Sequence, residues 1–235
     1  MTTGDAMART RGAADGRTFD RGAAVTRSLL GYGVIVGPIY LITGIGQGLV
    51  RDGFSFARHP LSVLANGAGG WVQTTNFVVS GLMVIAAAIG MWRVMRPAGR
   101  ATTIALGLYG VGMLAASVLK ADPMDGFPVG TPLGPPTSIS PMGLGHFAAG
   151  GLGFVALAVS ALLASRVLQR RGARTMARVS LAAGIVVLLG FFGGFAVPAL
   201  AKGSIGIWLA VVVGWVWIAA LSVHLYRVSP DPNCA

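Results

Sequence analysis

Trp71-Val72-Gln73-Thr74-Thr75-Asn76-Phe77-Val78-Val79-Ser80-Gly81-Leu82-Met83-Val84-Ile85-Ala86-Ala87-Ala88-Ile89-Gly90-Met91-Trp92 runs without a charge and stops at Arg93. Wound as a helix it is long enough to cross about 30 Å of hydrocarbon, which needs roughly 20 apolar residues. Tryptophan stands at both ends, where an amphipathic ring favours the membrane interface. The stretch reads as a membrane crossing, and five more like it follow the same rule. They occupy approximately 29–50, 101–119, 143–164, 179–201 and 204–226, with no Asp, Glu, Lys or Arg inside. The expected fold is therefore all-α: a polytopic membrane protein, one bundle of six transmembrane helices spanning 28–227. Residues 1–27 are expected to be a disordered cytoplasmic tail, rich in Arg, Gly, Ala and Asp with little periodicity. Residues 228–235 form a second short tail.

Charge gives the orientation. Of 18 Lys and Arg residues, 14 fall on one side of the six crossings, in the amino tail, the second and fourth connections and the carboxyl tail. Only Arg51, Arg58, Lys120 and Lys202 lie on the other side. The positive-inside rule then places both termini in the cytoplasm. Sixteen Arg against two Lys, with seven Asp and no Glu, suits a high-GC bacterial genome, so the expected location is the bacterial cytoplasmic (inner) membrane. A net charge of +11 does not point to nucleic acid, because the arginines cluster at crossing ends rather than along one basic face. Anionic lipid head groups are their expected partners. Cys234 is the sole cysteine, which excludes an intramolecular disulfide and, at that position, a CaaX lipidation site. The first apolar run has no Ala-x-Ala exit and is expected to stay as a helix rather than leave as a signal peptide.

Two connections on the outer side, 51–70 and 120–142, run to about 20 residues, where about 4 to 6 is usual. In Arg58-His59-Pro60-Leu61-Ser62-Val63-Leu64-Ala65-Asn66-Gly67, proline suits a helix start and glycine its end, predicting a short interfacial helix with His59 at the outer surface. In Asp122-Pro123-Met124-Asp125-Gly126-Phe127-Pro128, Asp122 can cap a turn and Asp125 can face its freed amides before Gly126 breaks it. Ser140-Pro141 repeats the cap-then-proline pattern and predicts the start of the fourth crossing. Five residues inside that start, His146 shares a helical face with Ala149, Gly150 and Gly153 and is expected to point into the bundle.

Polar residues recur at the same depth elsewhere: Tyr40, Thr43 and Gln47 late in the first crossing, Gln73, Asn76 and Ser80 early in the second. Each set is spaced to share one face. Unpaired amides are costly in lipid, so these faces are expected to meet one another or water, forming a polar pocket open to the outside. The pocket candidates are Gln73, Asn76, Asp122, Asp125 and His146. His59, Asp122, Asp125 and His146 are also the candidate ligands for a divalent metal, by residue type alone. No His-x-x-x-His or Glu-x-x-His pair supports them, and His224 belongs near the opposite end. Capping, turn formation and interhelical hydrogen bonding are the competing roles for the same side chains. The glycine pairs Gly33/Gly37 and Gly44/Gly48 are expected to serve packing, and Pro38 and Pro198 can bend their helices.

His59-Pro60-Leu61-Ser62, Gly69-Gly70-Trp71-Val72-Gln73 with Asn76-Phe77, Asp122-Pro123-Met124-Asp125-Gly126-Phe127-Pro128 and Gly143-Leu144-Gly145-His146 together resemble bacterial members of the domain of unknown function 998 family. The resemblance covers roughly 28–226, and the Asp-rich segment followed by Gly-x-x-His is its most specific part. It implies a six-helix membrane fold and no activity.

No phosphate-binding glycine loop, nucleophile elbow or haem-binding or iron-sulfur cysteine set is present. The first functional expectation is a non-enzymatic membrane protein with an outward-facing pocket that binds, or moves, a small molecule, lipid or ion, with no resident cofactor. Two alternatives stand beside it. One is a metal-dependent hydrolase of lipid or envelope substrates using His59, His146 and an Asp; the other is an accessory subunit without a ligand.

Overall fold

The computed structural model describes residues 19–134, 136, 138–196 and 204–232. The predicted features at Pro198, Lys202 and Cys234, the amino tail before Phe19 and the end of the fifth crossing lie outside the described residues.

Six helices are each long and apolar enough to cross a membrane. They are α1 (Arg21–Val50), α2 (Gly70–Met95), α3 (Arg100–Val118), α4 (Pro141–Arg170), α5 (Arg174–Ala196) and α6 (Ile205–Val228). Among the described residues there is no strand, only one isolated bridge between Met124 and Phe127. Each helix packs against the next in sequence, and α6 returns to α1, so the bundle is a closed ring. One end carries the long connections after α1 and α3, and is called here the loop end. The other, the terminal end, carries both termini: the Asp20 amide donates to the Pro232 carbonyl at 2.9 Å, and Arg27 pairs with Asp231 at 3.2 Å.

Glycine sets how closely the ring closes. A β-carbon added at Gly81 would lie 2.8 Å from the Gly110 carbonyl, and one at Gly110 would lie 2.8 Å from that of Gly81, so α2 and α3 touch backbone to backbone. Gly37 receives Trp215 of α6, Gly44 receives Leu61, and Gly48 receives Phe54 and Phe56. In the middle of the ring Trp215 packs between Tyr40 and Tyr109, with ring centroids 5.2 and 5.8 Å away.

Two sequence expectations change at the terminal end. The tail was expected to last to residue 27, but α1 begins at Arg21 because the Asp20 carboxylate accepts from the Ala23 amide and caps it. Arg93 of α2 then holds this first turn, donating to Thr26 Oγ1 and to the Gly22 carbonyl. α4 continues to Arg170, past the apolar run, and Arg171 donates to the Val94 and Met95 carbonyls at the end of α2. These arginines satisfy orphan carbonyls as well as marking a membrane side.

Candidate functional site

The polar residues of α1 and α2 meet one another. Gln73 Nε2 donates to the Tyr40 hydroxyl at 3.4 Å, Asn76 Nδ2 donates to the Tyr40 carbonyl at 3.1 Å and to Gln73 Oε1, and Ser80 Oγ donates to Asn76 Oδ1. Gln47 Nε2 donates to the Gly69 carbonyl at 2.8 Å. Gln73 and Asn76 are buried within this ladder. Of the connected residues, Tyr40 is the one that reaches the cavity described below.

Above them the two long connections form one cap. The expected interfacial helix is a single 3-10 turn, Leu61–Ala65, entered through Pro60. His59 is fully buried, not at the surface. Its Nδ1 accepts from the Ser55 amide at 3.0 Å, which leaves Nε2 to donate to the Asp125 carbonyl at 3.0 Å. Both ring nitrogens are thereby used. The Asp122–Pro128 segment is a tight hairpin rather than a capped helical turn. Met124 and Phe127 exchange backbone hydrogen bonds, and Asp125 and Gly126 between them have φ of 46° and 87°. Positive φ at both central residues is the Asp-Gly signature of a type I′ turn.

The hairpin drives Phe127 into the cap, where it packs on Phe54 and His59 and lies under the Arg51 guanidinium at 5.1 Å. Arg51 donates to the Leu64 and Asn66 carbonyls, and its burial lowers its pKa from the ordinary arginine value. Asp125 accepts from the Gly134 amide at 3.0 Å and lies 3.8 Å from Arg58 Nη1.

Asp122 acts on the start of α4. Its Oδ2 accepts from the Ser140 amide at 3.0 Å and its Oδ1 from the Ser140 hydroxyl at 2.5 Å, while Ser140 Oγ accepts from the Gly143 amide at 3.0 Å. Ser140 is the N-cap and Pro141 the first helical residue, as the sequence predicts. Asp122 braces that cap and places a negative charge at a helix N-terminus, where it is favoured.

His146 anchors the same helix to the end of α3. Nδ1 lies 2.7 Å from the Leu119 carbonyl, an acceptor, so Nδ1 carries the proton. In the neutral imidazole Nε2 is then a bare acceptor. The ring, with Ala149, Gly150 and Gly153 along its face of α4, lines a cavity of about 540 Å³ at the loop end. That volume lies in the range of about 300 to 1,000 Å³ usual for ligand sites.

The cavity walls are mostly apolar, with Phe77, Met113, Phe154, Phe191, Leu144 and Val211 among them. Tyr40 and Tyr109 stand deepest, next to Trp215, and Arg58, Ser62, Asp122 and Ser204 contribute from the loop end. Ala121, Asp122, Met124, Pro136 and Ile139 also line it, so the connection between α3 and α4 forms part of its roof.

The polar pocket expected from sequence is thus an apolar cavity with a polar rim. Asp122 and His146 reach it; Gln73, Asn76 and Asp125 are not among its lining residues. Asp122 and His146 share the cavity, yet Asp122 binds Ser140 and His146 binds the Leu119 carbonyl. The four proposed metal ligands do not converge: among the described residues no group of three or more His, Cys, Asp or Glu is placed to hold a metal ion. Sequence reading missed Arg58, Tyr109 and Phe154. Tyr109 sits inside an unbroken apolar run, and its only signal was a hydroxyl at mid-crossing depth.

Six membrane-spanning helices in a ring, capped at one end by two interlocked connections over a cavity, define a multi-pass all-α membrane protein. A family model described as Protein of unknown function (DUF998) matches residues 34–224, and the chain belongs to that family. No curated protein and no solved structure matches the chain. The matched region holds all the cap and cavity residues described above.

Proposed function

We propose that this protein binds an amphipathic molecule drawn from the membrane, holding its apolar part in the loop-end cavity and its polar part at the rim. Binding, rather than catalysis, is the proposed activity. The observation that carries the reading is the layout of the cavity: apolar walls contributed by α2, α3, α4, α5 and α6, with charged side chains confined to the connections at its mouth. A small polar solute would leave those walls unused, whereas an amphiphile matches both parts. The loop end is proposed to face the outside of a bacterial cytoplasmic membrane, with both termini in the cytoplasm. The excess of arginine at the terminal end supports that orientation.

The test fills the cavity. A β-carbon at Gly150 meets nothing within 4 Å, so a side chain can start there and extend into the cavity that Gly150 lines. Detergent-purified wild type, loaded with a long-chain amphiphile and released into the gas phase for native mass spectrometry, should retain about one molecule per chain. Gly150→Phe should fold with an unchanged melting temperature and retain none. Equal retention by both proteins would place binding elsewhere and overturn the reading.

A further inference from the structure

The reading above leaves the chemistry of the bound molecule open, and the cavity's unspent hydrogen-bonding groups narrow it. The following rests on that reading. A molecule that already lives in lipid gains little by moving its chain from one apolar surround to another, so selectivity falls on polar contacts. The charged groups at the cavity are already compensated. The Asp122 carboxylate holds Ser140 through both oxygens at the start of α4. Arg58 donates to the Asp125 carbonyl at 3.2 Å and lies 3.8 Å from its carboxylate. Neither offers an unopposed charge to a charged head group.

What remains is neutral. His146 Nδ1 is spent on the Leu119 carbonyl, and Nε2 has no hydrogen bond among the described residues. The ring lines the cavity, so that lone pair is available to a donor entering it. Deeper, Tyr109 is 6% exposed, lines the cavity, and has no hydrogen-bond partner for its hydroxyl among the described residues. It lies beside Gly153, two helical turns below His146 on the same face of α4. The cavity therefore presents one neutral acceptor near its mouth and one neutral hydroxyl near its floor, about 10 Å apart at 1.5 Å of rise per residue.

We infer that the ligand is an uncharged lipid with a free hydroxyl, and that His146 Nε2 selects it by accepting the hydroxyl's hydrogen bond. A fatty acid anion would meet a lone pair instead of a donor. A quaternary ammonium could donate no hydrogen bond to that lone pair.

The experiment compares tetradecanol, tetradecyl methyl ether, tetradecanoate and tetradecyltrimethylammonium by native mass spectrometry and by competition on the full-length protein. In wild type, tetradecanol should bind about three- to tenfold more tightly than the ether, the range expected for one net hydrogen bond. The two charged probes should bind no better than the ether. In His146→Phe the alcohol and the ether should become equal; in His146→Gln, which keeps a carbonyl acceptor, part of the preference should return. Equal binding of alcohol and ether by wild type, or tighter binding of either charged probe, would overturn the inference while leaving an amphiphile site in place. Failure of all four probes to bind would overturn the amphiphile reading itself.

Discussion

The carboxylate of Asp122 occupies the space that a side chain at Gly143 would need: a β-carbon built there would collide with both carboxylate oxygens. The same carboxylate braces Ser140, which caps α4 through the Gly143 amide. Asp122, Ser140 and Gly143 therefore work as one unit, joining the end of the α3 connection to the start of the helix that carries His146. Removing either polar partner exposes an orphan donor. Asp122→Ala and Ser140→Ala should each lower stability by about 1 to 3 kcal/mol, and the double variant should fall short of their sum by at least about 0.5 kcal/mol. Gly143→Ala should be destabilising by a similar amount, about 1 to 3 kcal/mol, through overpacking. Thermal unfolding in detergent reads all four; strict additivity would show that the three positions act separately.

His59 is a strut between the two long connections. It accepts from the Ser55 amide on one side and donates to the Asp125 carbonyl on the other, fully buried against Phe54 and Phe127. His59→Phe keeps the ring and loses both bonds, leaving a buried amide without its acceptor. The expected cost is about 1 to 3 kcal/mol per unsatisfied group, with retention of an amphiphile reduced only in proportion to unfolded protein. A fully stable His59→Phe variant that has lost retention would instead place His59 in binding.

How legible this was in the sequence depended on range. The six crossings were visible because the length of an apolar run is a local property, and the Ser140-Pro141 start was visible because a cap and its helix are adjacent. The role of His59 was hidden because its partner Asp125 lies 66 residues away. Residue type alone put His59, Asp122, Asp125 and His146 together as ligands, whereas their hydrogen bonds are taken by backbone and by Ser140. The helical spacing of Gln73, Asn76 and Ser80 correctly put them on one face, but spacing cannot say which neighbour that face meets. Tyr109 was invisible for a simpler reason: an aromatic residue inside an apolar run carries no pattern that separates a cavity floor from a core.

The ladder between α1 and α2 gives a separable expectation. Asn76 bonds the Tyr40 carbonyl, Gln73 and Ser80, all within the helix contact. Asn76→Leu should destabilise the protein, with Asn76→Ala and Gln73→Ala coupled, at about 0.6 to 2 kcal/mol per interhelical bond. Neither alanine variant should change the preference between alcohol and ether probes, because neither side chain lines the cavity. Thermal stability and probe competition measured on the same samples check both halves. A changed preference at full stability would return the amides to the pocket.

Both termini meet at one end of the ring, through the Asp20 amide with the Pro232 carbonyl and through Arg27 with Asp231. The same end carries Arg93, Arg96, Arg100, Arg166, Arg170, Arg171, Arg174, Arg178 and Arg227, at the adjoining helix ends and short connections. An arginine crossing the membrane centre is costly by about 2.5 to 3.5 kcal/mol on insertion scales, and a bias of this size orients a chain during insertion. Reporter fusions at both termini should therefore report the cytoplasm, and one placed at Gly130, in the exposed α3–α4 connection, should report the opposite side. Replacing Arg166, Arg170, Arg174 and Arg178 with serine should weaken that orientation without disturbing the cap, since none of them reaches the loop end. Termini on opposite sides would contradict the six-crossing ring. Both termini outside would keep the ring but invert it, and the cavity would then open to the cytoplasm.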